Sequence, residues 1–211
     1  MLSGGERMIE LPSTTRVGRR MPKERFYEQL KLTGRQRESF VRLIDSITIE
    51  NSIKPSTMKI ADGQNVHEIF LVEIALKEET LPFVVIEAIA KVNPHRILFI
   101  CSYGDEETYA VYRQGKVWPT KWLKSDETKL VPHGDNLDLL WDSLCSQVIF
   151  GSVEIQDVDA ETKKRQKAKA LDEEIAKLER AHGKERQISK RNALFEKLQK
   201  ARREKDALMK G

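Results

Sequence analysis

Two nearly continuous apolar segments separated by one amphipathic segment constrain the fold of this 211-residue chain more than any other feature. Residues 68–77 (EIFLVEIALK) and 96–103 (RILFICSY) are short and rich in β-branched residues, which is typical of strands covered on both faces. Between them, Leu81, Val85 and Ile89 share one helical stripe in residues 80–92. The order strand, helix, strand predicts two parallel neighbours joined by a right-handed crossover.

Two helices are predicted before this segment. Pro22 suits the first turn of a short helix that runs to Leu30. Thr33 and Gln36 then form a capping-box pattern, and the apolar face of the second helix continues to Ile47.

Further elements follow the second strand. Residues 109–113 and 116–123 flank Gln114-Gly115, a two-residue hairpin signal. Asp135 or Asn136 caps another helix, which is long enough to cover one face of a sheet. The predicted fold class is α+β: a small mixed β-sheet with flanking helices over residues 21–156, followed by a C-terminal helical hairpin or coiled coil.

Charge is distributed unevenly along the chain. Net charge is +5 over residues 1–60, −9 over residues 61–159 and +8 over residues 160–211. An acidic centre between two basic flanks suggests different surfaces for different partners. Alternatively, the flanks neutralise the centre within one molecule.

The C-terminal segment, residues 157–211, differs in composition from the rest. Residues 160–210 contain no proline, one glycine and sparse apolar residues in a Lys, Arg, Glu, Gln and Ala background. The spacing of its apolar residues predicts two helices with a break at residues 181–184, forming a hairpin or one long coiled coil. Helices this polar bury little by themselves, so we expect them to bind a protein partner or a second copy. The alternatives are that their basic faces contact a nucleic-acid backbone, or that they form a solvated hairpin without a partner. The residues predicted to do so are Leu171, Ile175, Leu178, Ile188, Phe195 and Leu198.

Residues 1–20 show neither helical nor strand periodicity and are predicted to form an irregular basic arm. Five positive charges lie within ten residues beside Phe26 and Tyr27, a combination suited to phosphate contacts and base stacking. DNA or RNA is therefore one candidate partner. The alternative is that these side chains pack over the acidic centre of the same molecule. The five residues are Arg16, Arg19, Arg20, Lys23 and Arg25.

Several classes of protein are not expected. No apolar run approaches the roughly 20 residues of a spanning helix, and no secretory h-region begins the chain, so a cytoplasmic protein without membrane contact is predicted. Cys101 and Cys145 each lie in an apolar pattern, which indicates buried, reduced thiols.

Four strings carry a resemblance to a known family: LPSTTRVGRRMPKERFYEQL (residues 11–30), VHEIFLVEIALKEETLP (66–82), RILFICSYGDEETYAVYR (96–113) and KLERAHGKERQISKRNALFEKL (177–198). Together they resemble the bacterial domain-of-unknown-function family 4391. The resemblance implies a prokaryotic cytoplasmic protein of unassigned activity, encoded near helicase, methylase or restriction-type genes. It implies no catalytic residue, but it suggests work on nucleic acid or against phage.

The restriction-type genes that the resemblance implies nearby make a metal-dependent nuclease the first enzyme to consider. Such sites place an acidic residue upstream of a strand carrying two further groups, so Asp62, Glu73 and Lys77 are the candidates. However, Glu73 and Lys77 are four residues apart, about 13 Å along a strand, which is too far for one metal. No phosphate-binding glycine loop and no His or Cys ligand pair is present, and no cofactor is predicted.

We therefore expect a non-enzymatic accessory or interaction subunit of a bacterial nucleic-acid-processing or anti-phage defence system. It docks a partner through its C-terminal helices. The alternatives are a divergent metal-dependent nuclease and a direct nucleic-acid-binding module.

Overall fold

The computed structural model describes residues 9–22, Leu30, 32–124, 130–153 and 157–210. The chain forms two compact units, residues 1–156 and residues 157–211. The strands of the first unit are β1 (Arg16–Met21), β2 (Ile44–Ile53), β3 (Ile69–Leu76), β4 (Arg96–Tyr103), β5 (Glu106–Arg113), β6 (Lys116–Pro119) and β7 (Leu123–Lys124). Its helices are α1 (Gly34–Leu43), α2 (Pro55–Met58), α3 (Phe83–Val92) and α4 (Leu137–Phe150).

The strands form one mixed sheet in the order β1-β2-β3-β4-β5-β6, with β7 also paired to β5. Only the β3–β4 pair is parallel among these described strands, and α3 is the helix that connects it. The structure therefore confirms the α+β class and the predicted strand-helix-strand segment. The bounds of β4, Arg96–Tyr103, are those predicted.

The predicted helix through Ile47 is wrong in its second half. The capping box is present, since the Thr33 backbone N–H donates to Gln36 Oε1 at 2.9 Å. However, α1 ends at Leu43, and β2 begins at the next residue. The spacing of Phe40, Ile44 and Ile47 is compatible with a helix, but the segment from Ile44 onward is rich in β-branched residues. This segment forms a strand because it pairs with β3.

The prediction of an irregular arm over residues 1–20 is also wrong for its last five residues. A short 3₁₀ turn at Ser13–Thr15 leads into β1, which pairs antiparallel with β2. Gly18 has a φ of 61°, and the register shifts between Arg16 and Arg19. This irregularity explains why no simple alternation marked the strand. Residues 23–29 of the helix predicted before Leu30 lie outside the described residues.

Helices cover both sides of the sheet. One buried cluster contains residues from α1, α3 and one face of the strands, among them Phe40, Ile74 and Phe99. Helix α4 packs against β5 and β6, and its buried residues include Leu140 and Trp141. The predicted buried, unpaired thiols are confirmed, since Cys101 and Cys145 are free and buried. Burial raises the pKa of both thiols, that of Cys145 to about 12.

The second unit is a pair of contacting helices, α5 (Val158–Lys184) and α6 (Ile188–Lys210). The helical hairpin predicted from the spacing is thus present. The connection occupies residues 185–187, slightly later than the predicted break at residues 181–184. One glycine, Gly183, is tolerated in the last turn of α5 and does not end the helix there.

Candidate interaction surface

Ion pairs between the two helices define how the hairpin is arranged. Lys167 Nζ lies 2.9 Å from Glu204 Oε1. Two further pairs join the helices in the same sense: Arg202 donates to Glu179 at 2.7 Å and Lys205 donates to Asp172 at 2.5 Å. Early residues of α5 thus pair with late residues of α6, so the helices run antiparallel. Exposed pairs such as these contribute little free energy, so apolar contact must supply most of the stability.

The six residues predicted to bind a partner divide into two groups. Leu171 and Leu198 are buried, while Ile175 and Leu178 are partly buried. These four follow the spacing of the face on which each helix meets the other. By contrast, the side chains of Ile188 and Phe195 are 68% and 49% exposed.

Ile188 and Phe195 belong to a longer line on α6. Residues seven positions apart lie nearly above one another on a helix, and the line continues through Arg202 to Met209, which is 60% exposed. It spans about 31 Å at the usual helical rise. We call Ile188, Phe195, Arg202 and Met209 the outer row. It is apolar except for Arg202.

The outer row runs along the border of α6 with α5. Arg202 reaches Glu179 of α5, and the Phe195 ring centroid lies 6.0 Å from that of His182. These contacts hold the guanidinium and the aromatic ring in place. The row is therefore a partly ordered surface on which another helix could rest.

Two charged residues lie beside the outer row. Arg191 is near its start and Asp206 near its end, and both are exposed. In the part of the chain that the structure describes, neither side chain forms an ion pair with another residue. Their charges are therefore available to a molecule that binds the row.

The basic residues of β1 do not form one patch. Arg16, Arg19 and Arg20 are all exposed on an edge strand. Arg20 pairs with Thr48 and Arg19 with Ile49, so the two neighbouring arginines point to opposite faces of the sheet. Lys23 and Arg25, the other two predicted nucleic-acid contacts, lie outside the described residues.

The nuclease candidates are spread along β3. The Asp62 carboxylate lies 3.1 Å from His67 Nδ1, before the strand begins. Lys77 follows the end of the strand and donates to the Val41 carbonyl at 2.8 Å. Glu73 lies between them and accepts from Ser102 at 3.4 Å. Since an eight-residue strand is about 26 Å long, one metal ion does not reach all three.

A second acidic residue lies near Glu73. Ser102 pairs across the sheet with Glu107, and burial followed by the negative charge of Glu73 raises the pKa of Glu107 above its usual value. This places two carboxyl groups on either side of the Ser102 strand. Across the described ranges, no group of three or more His, Cys, Asp or Glu side chains is placed to hold a metal ion.

Among the described helices, none is both long enough and apolar enough to span a membrane.

Comparison with known proteins identifies the family but no activity. The sequence profile described as "Domain of unknown function (DUF4391)" matches residues 9–204. This chain belongs to the DUF4391 family. No curated protein and no solved structure matches it.

The partner-binding residues predicted from the sequence lack four residues of this surface on the DUF4391 chain: Arg191, Arg202, Asp206 and Met209. Heptad spacing from Ile188 identifies both Arg202 and Met209. However, separating the outer row from the residues buried between the two helices requires knowing which face of α6 contacts α5.

Proposed function

We propose that this DUF4391 chain is a non-enzymatic interaction protein, an accessory subunit that associates through its C-terminal hairpin. On this proposal it works in the bacterial cytoplasm within a nucleic-acid-processing or anti-phage defence system. The observation that carries the proposal is the outer row, whose apolar side chains remain exposed after the hairpin has formed.

The inner and outer apolar residues of the hairpin support different roles. Leu171 and Leu198 are buried, so they stabilise the hairpin itself. Ile188, Phe195 and Met209 stay between 49% and 68% exposed and add nothing comparable to folding. Exposed apolar residues arranged in a line, unlike scattered ones, are typical of a surface that binds another protein.

The basic character of α6 accompanies this line. The helix carries eight Lys and Arg residues against three Asp and Glu. Polar residues around an apolar line form the rim of a typical protein interface and keep the free surface soluble.

The test compares charge insertions in the full-length chain. Ile188→Glu and Phe195→Glu place a carboxylate in the outer row. Val92→Glu is the matched control, because Val92 is an equally exposed apolar residue on a helix of the first unit, at 56%. Helical circular dichroism checks that each variant is folded.

Association is measured in two ways, by sedimentation of the purified chain alone and by calorimetric titration with each purified protein encoded by a neighbouring gene. We expect the row variants to weaken the association that the wild type shows by at least about tenfold, and the control to leave it unchanged. If both kinds of association survive both row variants, or are absent from the wild type, the proposal is wrong.

Direct binding of nucleic acid is the second candidate function. This function is favoured by the exposure of Arg16 and Arg20 on β1. Their partners on β2, Asn51 and Thr48, pair in turn with Leu71 and Glu73 of β3. Because Leu71 and Glu73 are two residues apart on one strand, both arginines lie on the same face of the sheet. Two arginines on one face supply few phosphate contacts, so this binding would be weak and strongly dependent on salt. A nuclease is less well supported, since Asp62 and Lys77 lie near opposite ends of β3.

A further inference from the structure

The four residues of the outer row are placed symmetrically about one midpoint, with the aromatic residue on one side and the arginine on the other. Its order is apolar, aromatic, arginine, apolar, and its midpoint lies between Leu198 and Gln199. Ile188 lies as far before this midpoint as Met209 lies after it. Phe195 and Arg202 are related in the same way.

A surface with this arrangement is complementary to a second copy of itself. If two α6 helices lie antiparallel about a two-fold axis at the midpoint, Ile188 of each faces Met209 of the other, and Phe195 faces Arg202. An arginine guanidinium stacks favourably on an aromatic ring. The bond from Arg202 to Glu179, 2.7 Å long, leaves the flat face of the guanidinium free for this stacking.

The neighbouring charges satisfy the same symmetry. Arg191 and Asp206 are also equally distant from the midpoint, so an antiparallel pair brings each Arg191 opposite an Asp206. Two ion pairs of this kind form per dimer. A parallel arrangement would instead place Arg191 beside Arg191 and Asp206 beside Asp206, which is unfavourable.

We propose that the outer row is a homodimer interface, in which α6 of one copy packs antiparallel on α6 of a second copy with Phe195 against Arg202 and Arg191 against Asp206. This inference rests on the proposed function and names the partner. A strip about 31 Å long and one helix wide buries less than a standard interface of about 800 Å² per partner. The dimer should therefore be weak, with a dissociation constant on the order of tens of micromolar.

A charge exchange in the full-length chain tests the register. Arg191→Asp places like charges opposite each other at both ends of the pair, and so does Asp206→Arg. Both substitutions suit the helix, because Arg191 lies near the N-terminus of α6 and Asp206 near its C-terminus. Loss of the dimer in either variant is therefore not a consequence of a less stable helix.

Sedimentation velocity from about 5 to 500 µM, a range that brackets the expected constant, gives the dissociation constant. We expect each single substitution to raise it at least about tenfold and the double variant, Arg191→Asp with Asp206→Arg, to restore it. A wild type that stays monomeric throughout overturns the inference, and so does a double variant that is no tighter than the singles.

These outcomes are distinct from failure of the proposed function. A monomeric wild type that binds a protein from a neighbouring gene, and loses that binding on Phe195→Glu, overturns the homodimer and leaves the docking proposal standing. A chain that dimerises identically with and without the row substitutions overturns the homodimer interface. It overturns the docking proposal as well when binding to the proteins of the neighbouring genes also survives those substitutions.

Discussion

Replacement of Asp138 by alanine should destabilise the first unit, because this side chain joins α4 to the loop before β3. Asp138 lies in the first turn of α4, and its carboxylate accepts the backbone N–H groups of three consecutive residues of the loop before β3. The distances are 2.6 Å to Gln64, 3.1 Å to Asn65 and 2.9 Å to Val66. The loop is held so closely that a Cβ at Gly63 would lie 2.6 Å from the Val66 carbonyl oxygen.

The expected cost follows from the surroundings of the three donors. Val66 is buried, so the loss of its acceptor costs about 1.5 kcal/mol. Gln64 and Asn65 are exposed, and water replaces their bonds at a cost of about 0.5 kcal/mol each. Loss of a negative charge from the first turn of α4 adds about 0.5 kcal/mol. Together these effects predict a loss of about 3 kcal/mol.

Urea unfolding followed by tryptophan fluorescence measures this loss selectively. All three tryptophans, Trp118, Trp122 and Trp141, belong to the first unit, so the hairpin does not contribute to the signal. Asp135→Ala is the control, because Asp135 is exposed and precedes α4, and it should change stability by less than about 0.5 kcal/mol. A loss of less than about 1 kcal/mol for Asp138→Ala would show that the three N–H groups do not depend on this carboxylate.

Three further predictions concern single groups. Burial raises the pKa of the Cys145 thiol to about 12, so this thiol in the native chain should not react with a thiol reagent at pH 8. The chain unfolded in urea should react. Rapid labelling of the native chain would contradict this burial. The pKa of Glu107 is higher in the folded than in the unfolded chain, so folding favours its protonated form and the unfolding free energy falls as the pH rises above the usual glutamate pKa. Glu107→Gln should therefore raise stability at pH 7 and reduce this dependence on pH; unchanged urea curves at pH 4 and pH 7 would argue against it. If the first unit binds DNA, replacing Arg16 and Arg20 together by alanine should lower the slope of log affinity against log salt by about 2, and an unchanged slope removes these arginines from the contact surface.

The strands and helices that form the buried core of the first unit were predictable from the sequence. Residues of β3 and β4 are apolar on both faces, so no other assignment suited a run of that length. The Thr33 capping box correctly began α1 but did not mark its end. Ile44 and Ile47 fit a helical stripe as well as a strand, and only pairing with β3 decides between them.

The candidate surface could be predicted only in part. Heptad spacing located the hairpin and named Ile188 and Phe195, but it placed them in the same set as Leu171 and Leu198. Separating the two sets requires the antiparallel contact of α5 with α6, which is a tertiary property. The two-fold relation of Arg191 to Asp206 also becomes meaningful only after the outer row has been identified.

Disulfide trapping between differently substituted chains tests whether two α6 helices pair antiparallel through the outer row. Ile188→Cys and Met209→Cys are made in separate full-length chains, mixed and oxidised, and the two native thiols do not interfere because they are buried. Antiparallel pairing brings position 188 of one copy against position 209 of the other, whereas identical positions stay about 31 Å apart along the helices. Antiparallel pairing predicts a covalent dimer from the mixture and none from either variant alone. Equal dimer from one variant alone, or none from the mixture, would contradict it.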